Sequence, residues 1–168
     1  MPAVPGLRPT PQRLRQTLFD WLAPVIVGAR VLDAFAGTGA LGIEALSRGA
    51  GSATFFERDP RQAAAIEADL ARLHQTAEVR CTDTLRVLGE GTRACYDIAF
   101  IDPPFDAAAW QPAAAALDAN GWLADEAWVY VESGEHDVWT PPSHWQLHRR
   151  RDAGAVRGTL FRTGRQRA

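Results

Sequence analysis

The sequence predicts an α/β fold: a mainly parallel seven-stranded sheet with helices on both faces and an antiparallel hairpin at the C-terminal end. Short apolar runs of strand length alternate with segments of helical periodicity through most of the 168 residues, which is typical of a parallel sheet with crossover helices. A glycine-rich turn follows the first apolar run. The last two strand-like segments are close in sequence, as expected for an antiparallel pair.

The strands are predicted from short runs that are mostly apolar, as in strands buried on both faces. The five parallel strands are expected at residues 30–35, 52–57, 77–82, 96–101 and 127–132. The hairpin is expected to pair residues 145–150 with residues 159–163, across a connection at 152–158.

The helices are predicted in the segments between these strands. The first, over residues 10–22, has apolar residues at 14, 18, 21 and 22, a helical spacing. The others are expected at 40–48, at 60–74 after an N-cap at Asp59, and in the alanine-rich segment 107–117. Right-handed crossovers place helices on both faces of the sheet. With no repeat and no linker, residues 1–168 are expected to form one domain, with 1–7 as a loose N-terminal segment.

The composition is that of an ordinary globular protein, with 46% hydrophobic and 23% charged residues. No apolar run approaches the length of a membrane helix, and the N-terminus lacks an apolar signal core, so we expect a cytoplasmic protein, by default a monomer. Cys81 and Cys95 have no metal-like spacing and are expected to be buried structural thiols. No metal site is predicted.

Charge is distributed unevenly along the chain. Residues 1–30 hold four arginines against one aspartate, and residues 149–168 hold seven arginines against one aspartate. Because the whole chain has a net charge of -2, the centre is strongly acidic. Basic ends favour a polyanionic partner such as a nucleic acid, although solvated tails would have the same composition.

The turn after the first strand contains G-x-G-x-x-G, formed by Gly37, Gly39 and Gly42, between a predicted strand and a predicted helix. In a Rossmann-like fold these glycines allow a tight turn and the close approach of a nucleotide. Glu57 ends the second strand, where its carboxylate can accept both ribose hydroxyls. The combination favours a nucleoside cofactor over a simple turn.

Asp33 distinguishes between the candidate cofactors. An anion four residues before Gly37 disfavours a pyrophosphate but suits the cationic amino group and sulfonium of S-adenosylmethionine. A nicotinamide-dependent oxidoreductase is the alternative from another enzyme class. Asp83, just past the third strand, can face the adenine or can simply N-cap a short helix over 84–88.

The fourth strand ends in Asp102-Pro103-Pro104-Phe105. In a doubly wound sheet this position lies beside the glycine turn, at the switch point. The carboxylate of Asp102 and a carbonyl near Pro103 can accept from a nucleobase amine, which frees its lone pair, while the prolines hold the backbone rigid. Phe105 offers a ring for stacking the base. Two prolines after an acid can also simply end a strand. Glu132, at the end of the fifth strand, can face the pocket, but a surface carboxylate is the favoured interpretation.

These residues resemble the amino-methyltransferase branch of the class I S-adenosylmethionine-dependent methyltransferases, whose signature is [DNS]-P-P-[FYW]. More specifically, four segments resemble the RsmD family, which methylates the 2-amino group of a guanine in small-subunit (16S) ribosomal RNA. They are RPTPQRLRQTLFDWLAP (8–24), VLDAFAGTGALGIEALSRGA (31–50), FIDPPF (100–105) and NGWLADEAWVYVES (120–133). A DNA amino-methyltransferase is the closest rival, and a non-catalytic RNA-binding protein is a further alternative.

The resemblance implies a role for each matching residue. Residues implied to bind S-adenosylmethionine, and its product S-adenosylhomocysteine, are Asp33, Phe35, Gly37, Gly39, Glu57 and Asp83. Catalytic roles are implied for Asp102, Pro103 and Phe105, and contacts with the substrate for Arg8, Thr10, Arg13 and Pro104. The partner implied is small-subunit ribosomal RNA or the assembling small subunit. Family members usually begin with a basic β-hairpin, for which this sequence has only residues 1–7, so either the start of the sequence is trimmed or RNA docking differs here.

Overall fold

The computed structural model describes residues 11–104 and 108–164. They form one seven-stranded sheet in the order β3-β2-β1-β4-β5-β7-β6. The strands are β1 (Arg30–Asp33), β2 (Ser52–Glu57), β3 (Glu78–Cys81), β4 (Tyr96–Ile101), β5 (Leu123–Gly134), β6 (Gln146–Ala153) and β7 (Val156–Arg162). The helices are α1 (Gln12–Leu22), α2 (Ala40–Ser47), α3 (Pro60–Arg72), α4 (Thr84–Glu90) and α5 (Trp110–Ala119).

The first five strands run parallel, and β7 is antiparallel to both of its neighbours. The predicted α/β fold and its C-terminal hairpin are therefore confirmed. The chain starts at the middle of the sheet with β1, moves outward to β3, and returns to add β4 on the other side of β1. This reversal places a switch point between β1 and β4, where ligands bind in doubly wound sheets.

Apolar residues on the two faces of the sheet form two cores, because side chains alternate along each strand. Val31 and Phe55 lie in the core beneath α1, α2 and α3, whereas their neighbours Leu32 and Phe56 lie in the core beneath α4 and α5. We call these the α1 face and the α5 face. The sheet is thus covered on both sides, as the sequence predicts.

Several boundaries differ from the prediction. The fifth strand runs from Leu123 to Gly134, longer at both ends, and the last helix begins at Trp110 rather than 107. The hairpin connection is also tighter than expected. Ala153 pairs with Val156, so the turn has two residues, and Gly154 takes the left-handed conformation (φ 60°) that such a turn favours.

Two further findings concern the cysteines and membrane spans. Cys81 is exposed and Cys95 is half-buried, so the prediction of buried thiols is wrong. Cys81 is the last residue of β3, an edge strand that pairs with only one other strand, β2. Among the described residues, no helix combines the length and apolar character needed to cross a membrane.

Candidate active site

Four parallel strands carry an acidic residue at their carboxyl ends. Asp33 ends β1, Glu57 ends β2, Asp102 follows β4, and Glu132 lies near the end of β5. The carboxyl ends of parallel strands meet at one edge of the sheet, so the structure brings these acids to the edge that contains the switch point. Asp33, Glu57 and Asp102 were predicted site residues, whereas Glu132 was predicted at the end of the fifth strand but favoured as a surface carboxylate.

The glycine turn is shaped by conformations that other residues rarely adopt. Gly37 and Gly39 have φ values of 57° and 78°, in the left-handed region. Gly42 is needed for packing, since a Cβ there would come within 2.3 Å of the Phe55 ring. The three glycines therefore serve the turn and the close packing of α2 on β2, as the motif predicts.

Glu57 is fixed in place by backbone donors. Its Oε2 accepts a hydrogen bond of 2.7 Å from the N–H of Gly37, and its Oε1 accepts one of 3.0 Å from the N–H of Asp59. Each carboxylate oxygen can accept more than one hydrogen bond, so both remain able to accept from a ligand. The half-buried carboxylate is thus oriented beside the glycine turn, and its predicted role toward a ribose stays a prediction.

Asp33 is 2% exposed and its carboxylate accepts a 3.0 Å hydrogen bond from the N–H of Gly42. It thereby caps the first turn of α2, whose N-cap residue, Gly39, has no side chain to do so. Burial raises the pKa of Asp33 to about 7, with a smaller contribution from the charge of Glu57, while the bond from Gly42 lowers it. A cationic ligand beside this buried carboxyl would stabilise its ionised form, because the opposite charge offsets the cost of burial.

Asp83 accepts a 3.1 Å hydrogen bond from the N–H of Arg86 and N-caps α4, so its alternative interpretation as a cap is confirmed. Its role toward adenine stays a prediction. The neighbouring Thr84 was missed by sequence reasoning. Its buried hydroxyl donates to the carbonyl of Ala34, which ties α4 to the turn after β1. A threonine after an N-cap is too common to have indicated this contact.

The loop after β4 starts with a half-buried Asp102, a buried Pro103 and an exposed Pro104. Neither proline has a backbone N–H to donate, so the carbonyls here are not drawn into a local turn by them. Phe105 lies outside the described residues, as do Arg8 and Thr10. The stacking and substrate contacts predicted for these three therefore stay predictions.

Glu132 is only 5% exposed, so its interpretation as a surface carboxylate is wrong. It lies on the α1 face, two residues after Tyr130. On the adjacent strand its partner is Gly158, which leaves room for Leu14 of α1: a Cβ there would lie 2.9 Å from Leu14 Cδ1. Glu132 follows Trp128 and Tyr130 at a spacing of two residues, which places all three on one face of the strand. This pattern was the sequence signal that could have indicated burial.

The other predicted residues occupy the rim of this edge. Arg13 is exposed in the first turn of α1, next to Leu14, which packs over the glycine paired with Glu132. Phe35 is half-buried and packs against the core of the α5 face. The described candidate residues thus lie around one edge of the sheet, where carboxylates, the glycine turn and the exposed Arg13 come together.

Comparisons with known proteins agree with this arrangement. The family model described as "Conserved hypothetical protein 95" matches residues 1–162. Ribosomal RNA small subunit methyltransferase D of Escherichia coli K12 is 47% identical over 164 residues, which cover 96% of this chain and 82% of that protein. The relative of the same name from Haemophilus influenzae is 38% identical, over 93% of this chain and 83% of that protein.

Solved structures are also similar. The Escherichia coli protein yhhF, described as a candidate methyltransferase, has a TM-score of 0.88 and 45% identity, over 98% of this chain and 92% of that one. SMU.776, a candidate methyltransferase complexed with SAH, has a TM-score of 0.69 at 14% identity, over 88% of this chain and 49% of that one, and shows the shared fold alone. On the family model and on relatives of this identity and coverage, the chain belongs to the ribosomal RNA small subunit methyltransferase D family, which confirms the resemblance stated above.

Proposed function

We propose that the protein transfers a methyl group from S-adenosylmethionine to the exocyclic 2-amino group of a guanine in small-subunit ribosomal RNA. The observation that carries the proposal is the position of Asp102, followed by two prolines, at the switch point beside the glycine turn and the buried Asp33. Residues 1–168 are proposed to act as one catalytic domain, in the cytoplasm and as a monomer.

The donor set fits the cofactor. Glu57 presents an oriented carboxylate to the ribose hydroxyls, and the turn at Gly37 and Gly39 lets the backbone approach the nucleoside closely. Asp33 is proposed to supply a buried negative charge for the cationic amino group, and Asp83, at the N-terminus of α4, is proposed to contact the adenine. The cofactor supplies a methyl group on a positively charged sulfur.

Asp102 is proposed to hold the guanine amine for in-line attack. Its carboxylate accepts one N–H bond, and a carbonyl near Pro103 accepts the other, which favours the pyramidal nitrogen whose lone pair is available. Asp102 is also proposed to receive the proton that this nitrogen must lose. Phe105 is proposed to stack on the base, which must be exposed or flipped out of its helix. Positioning then contributes most of the rate enhancement.

Docking of the RNA is assigned to the basic residues around the same edge. Arg149, Arg150 and Arg151 are exposed on β6, the last strand of the sheet, and Arg13 is exposed at the start of α1. Arg151 also donates a 3.2 Å hydrogen bond to Thr17, so α1 and β6 form one surface. Arginine suits phosphate recognition, and Arg8, Thr10 and Pro104 are proposed to complete the substrate contacts.

The test is a methyl-transfer assay with labelled S-adenosylmethionine. The acceptors are small subunits from a strain that lacks this gene, the matching naked RNA, and duplex DNA. Label in one guanine of the small-subunit RNA is expected, and label in DNA alone would reassign the protein to DNA. Asp102→Ala should retain the cofactor affinity and lose at least a hundredfold in turnover, whereas the control Asp125→Ala, at an exposed aspartate on β5, should have normal activity.

A further inference from the structure

We propose that Glu132 recognises the target base by accepting a hydrogen bond from the N1–H of guanine, and that it thereby selects guanine over purines without that donor. The proposal rests on the proposed function, because it takes the 2-amino group of guanine to be held by Asp102. Glu132 would then be a specificity-determining residue that neither the motif nor the family comparison assigns.

The register of the sheet places the two carboxylates side by side. Ile101 of β4 pairs with Val131 of β5, so the next residues on the two strands, Asp102 and Glu132, follow at the same level. Side chains alternate between faces, so Asp102 lies on the face of Phe100 and Glu132 on the face of Tyr130. Those two rings are in edge-to-face contact, with centroids 6.4 Å apart on the α1 face.

Neighbouring strands are about 4.8 Å apart, so the two carboxylates project from adjacent strands on the same face of the sheet. Contacts with neighbouring residues hold the backbone of Glu132 in place and keep its side chain on the α1 face. The indole N–H of Trp110 donates a 2.8 Å hydrogen bond to the Glu132 carbonyl. On the α1 face, a Cβ at Gly158 would lie 2.6 Å from the Tyr130 hydroxyl. Tyr130 therefore fills the space beside Gly158, the cross-strand partner of Glu132.

Electrostatics agree with this placement. The pKa of Tyr130 is raised well above its ordinary value, first by burial and then by the negative charges of Glu132 and Asp102. Both carboxylates must therefore be close to the same phenol. Arg151 pairs with Gly158, the partner of Glu132, and is exposed.

The chemistry of guanine matches two adjacent acceptors. Its Watson–Crick edge presents the N1–H and the 2-amino group next to each other, and both are donors. Adenine and 2-aminopurine have an acceptor at N1, which a carboxylate repels. A carboxylate has about four lone-pair sites, so Glu132 can accept from the base while it keeps contacts within the protein. Sites built to satisfy a particular hydrogen bond reject analogues that lack it, because buried polar groups are left unpaired.

The experiment compares guanine with 2-aminopurine at the target position. 2-Aminopurine keeps the reacting amine but replaces the N1–H with an acceptor. Small subunits are reconstituted with ribosomal RNA ligated to carry either base at the nucleotide that the wild-type enzyme labels. We expect wild-type enzyme to favour guanine at least tenfold in kcat/KM. Glu132→Gln, whose amide can donate to N1, should reduce this preference at least tenfold.

The control is Glu126→Gln, the same change at an exposed carboxylate of the same strand. Cofactor affinity and thermal unfolding verify that both variants fold. If Glu132→Gln lowers kcat/KM for both bases by the same factor, Glu132 is structural and the proposal is wrong. If the variant methylates both bases too slowly to measure, the Kd values for the guanine and 2-aminopurine subunits replace kcat/KM. A Kd ratio equal to that of the wild type would then show that the proposal is wrong. No label from wild-type enzyme on the guanine subunit would instead contradict the proposed function.

Discussion

The buried carboxylate of Asp33 accepts a hydrogen bond of 3.0 Å from the N–H of Gly42, nine residues later in the chain. This one contact joins the end of β1 to the first turn of α2 and so closes the glycine turn. Burial raises the pKa of the same carboxyl to about 7. Asp33 therefore has two effects that experiments can distinguish. It organises the turn, and it lowers the free energy of unfolding when it is ionised with no cation bound.

Stability should fall as pH rises through the titration of Asp33. The pKa is raised from 3.8 to about 7, so between these values the folded protein keeps a proton that the unfolded chain has released. The free energy of unfolding then decreases with rising pH and becomes level above about 7. Asp33→Asn, whose amide oxygen can still accept from Gly42, should remove this dependence and raise stability at pH 8. Denaturant unfolding from pH 5 to 8 measures both. A variant less stable than wild type at pH 8 would contradict this expectation.

The affinity for S-adenosylmethionine should depend on the same proton, but it should increase as pH rises, whereas the stability decreases. Protonated Asp33 is neutral, so a cationic amino group must displace the proton to form an ion pair. We expect the Kd to rise as pH falls below about 7, by up to roughly tenfold per unit. Calorimetry in buffers of different ionisation enthalpy should detect the released proton. Asp33→Asn should bind weakly at every pH; an unchanged pH dependence in this variant would assign the proton to another group.

Glu57→Gln should weaken cofactor binding more than it weakens the fold. The carboxylate accepts from the N–H groups of Gly37 and Asp59 through its two oxygens, whereas a glutamine amide has only one acceptor oxygen. It would also lose charge-assisted bonds to the ribose, worth about 1.5–3 kcal/mol, so the Kd should rise roughly tenfold or more. Glu78→Gln, an exposed carboxylate on β3, is the matched control. Equal effects of both variants on the calorimetric Kd would argue against a ribose contact.

Much of the fold could be predicted because the signals are local. Residues 52–57 and 96–101 were predicted with the observed bounds, since each is an apolar run ended by charged or proline residues. The acids at Asp33, Glu57 and Asp102 were found because a parallel sheet brings strand ends together. These inferences need only chain order and residue type.

Glu132 shows where such reasoning stops. A carboxylate at a strand end is normally exposed, but Glu132 is buried beside Gly158 of β7, which Leu14 of α1 covers from more than a hundred residues away in the sequence. The absence of a side chain at Gly158 makes this possible, because Leu14 occupies the space. The exposed Cys81 has a similar explanation: β3 is an edge strand, and strand order cannot be deduced from the segment itself.

Gly42→Ala should destabilise the protein through overpacking. The added Cβ would meet Cε1 of Phe55 at 2.3 Å in the core of the α1 face, so the ring or α2 must shift. We expect the free energy of unfolding to fall by roughly 1–3 kcal/mol. Gly89→Ala is the control, since it lies in α4 with no atom within 4 Å of the new Cβ, and should stabilise the protein by up to about 1 kcal/mol. If Gly42→Ala leaves the unfolding midpoint unchanged, the close contact of α2 with β2 is wrong.

The arginines of β6 should govern RNA affinity without taking part in methyl transfer. The hairpin register pairs Glu132 with Gly158 and Gly158 with Arg151, so β6 reaches the level of Asp102 three strand spacings away, about 14 Å. Phosphates near a guanine held at Asp102 can therefore reach Arg149 and Arg150. Their double substitution by alanine should raise KM for RNA, leave kcat at saturating RNA close to wild type, and lower the salt dependence of binding by about 0.7 in log–log slope for each lost contact to single-stranded RNA.

The matched control is the double variant Arg72→Ala/Arg93→Ala, which also removes two exposed arginines, one at the end of α3 and one before β4, both far from β6. Binding titrations over a range of salt concentrations, with small-subunit RNA, distinguish the two variants. A slope that decreases equally in both would reflect net charge alone. A slope that is unchanged when Arg149 and Arg150 are replaced would mean that the RNA approaches the site without crossing β6. A loss of kcat rather than a rise in KM would place these arginines nearer the reacting base than the sheet register allows.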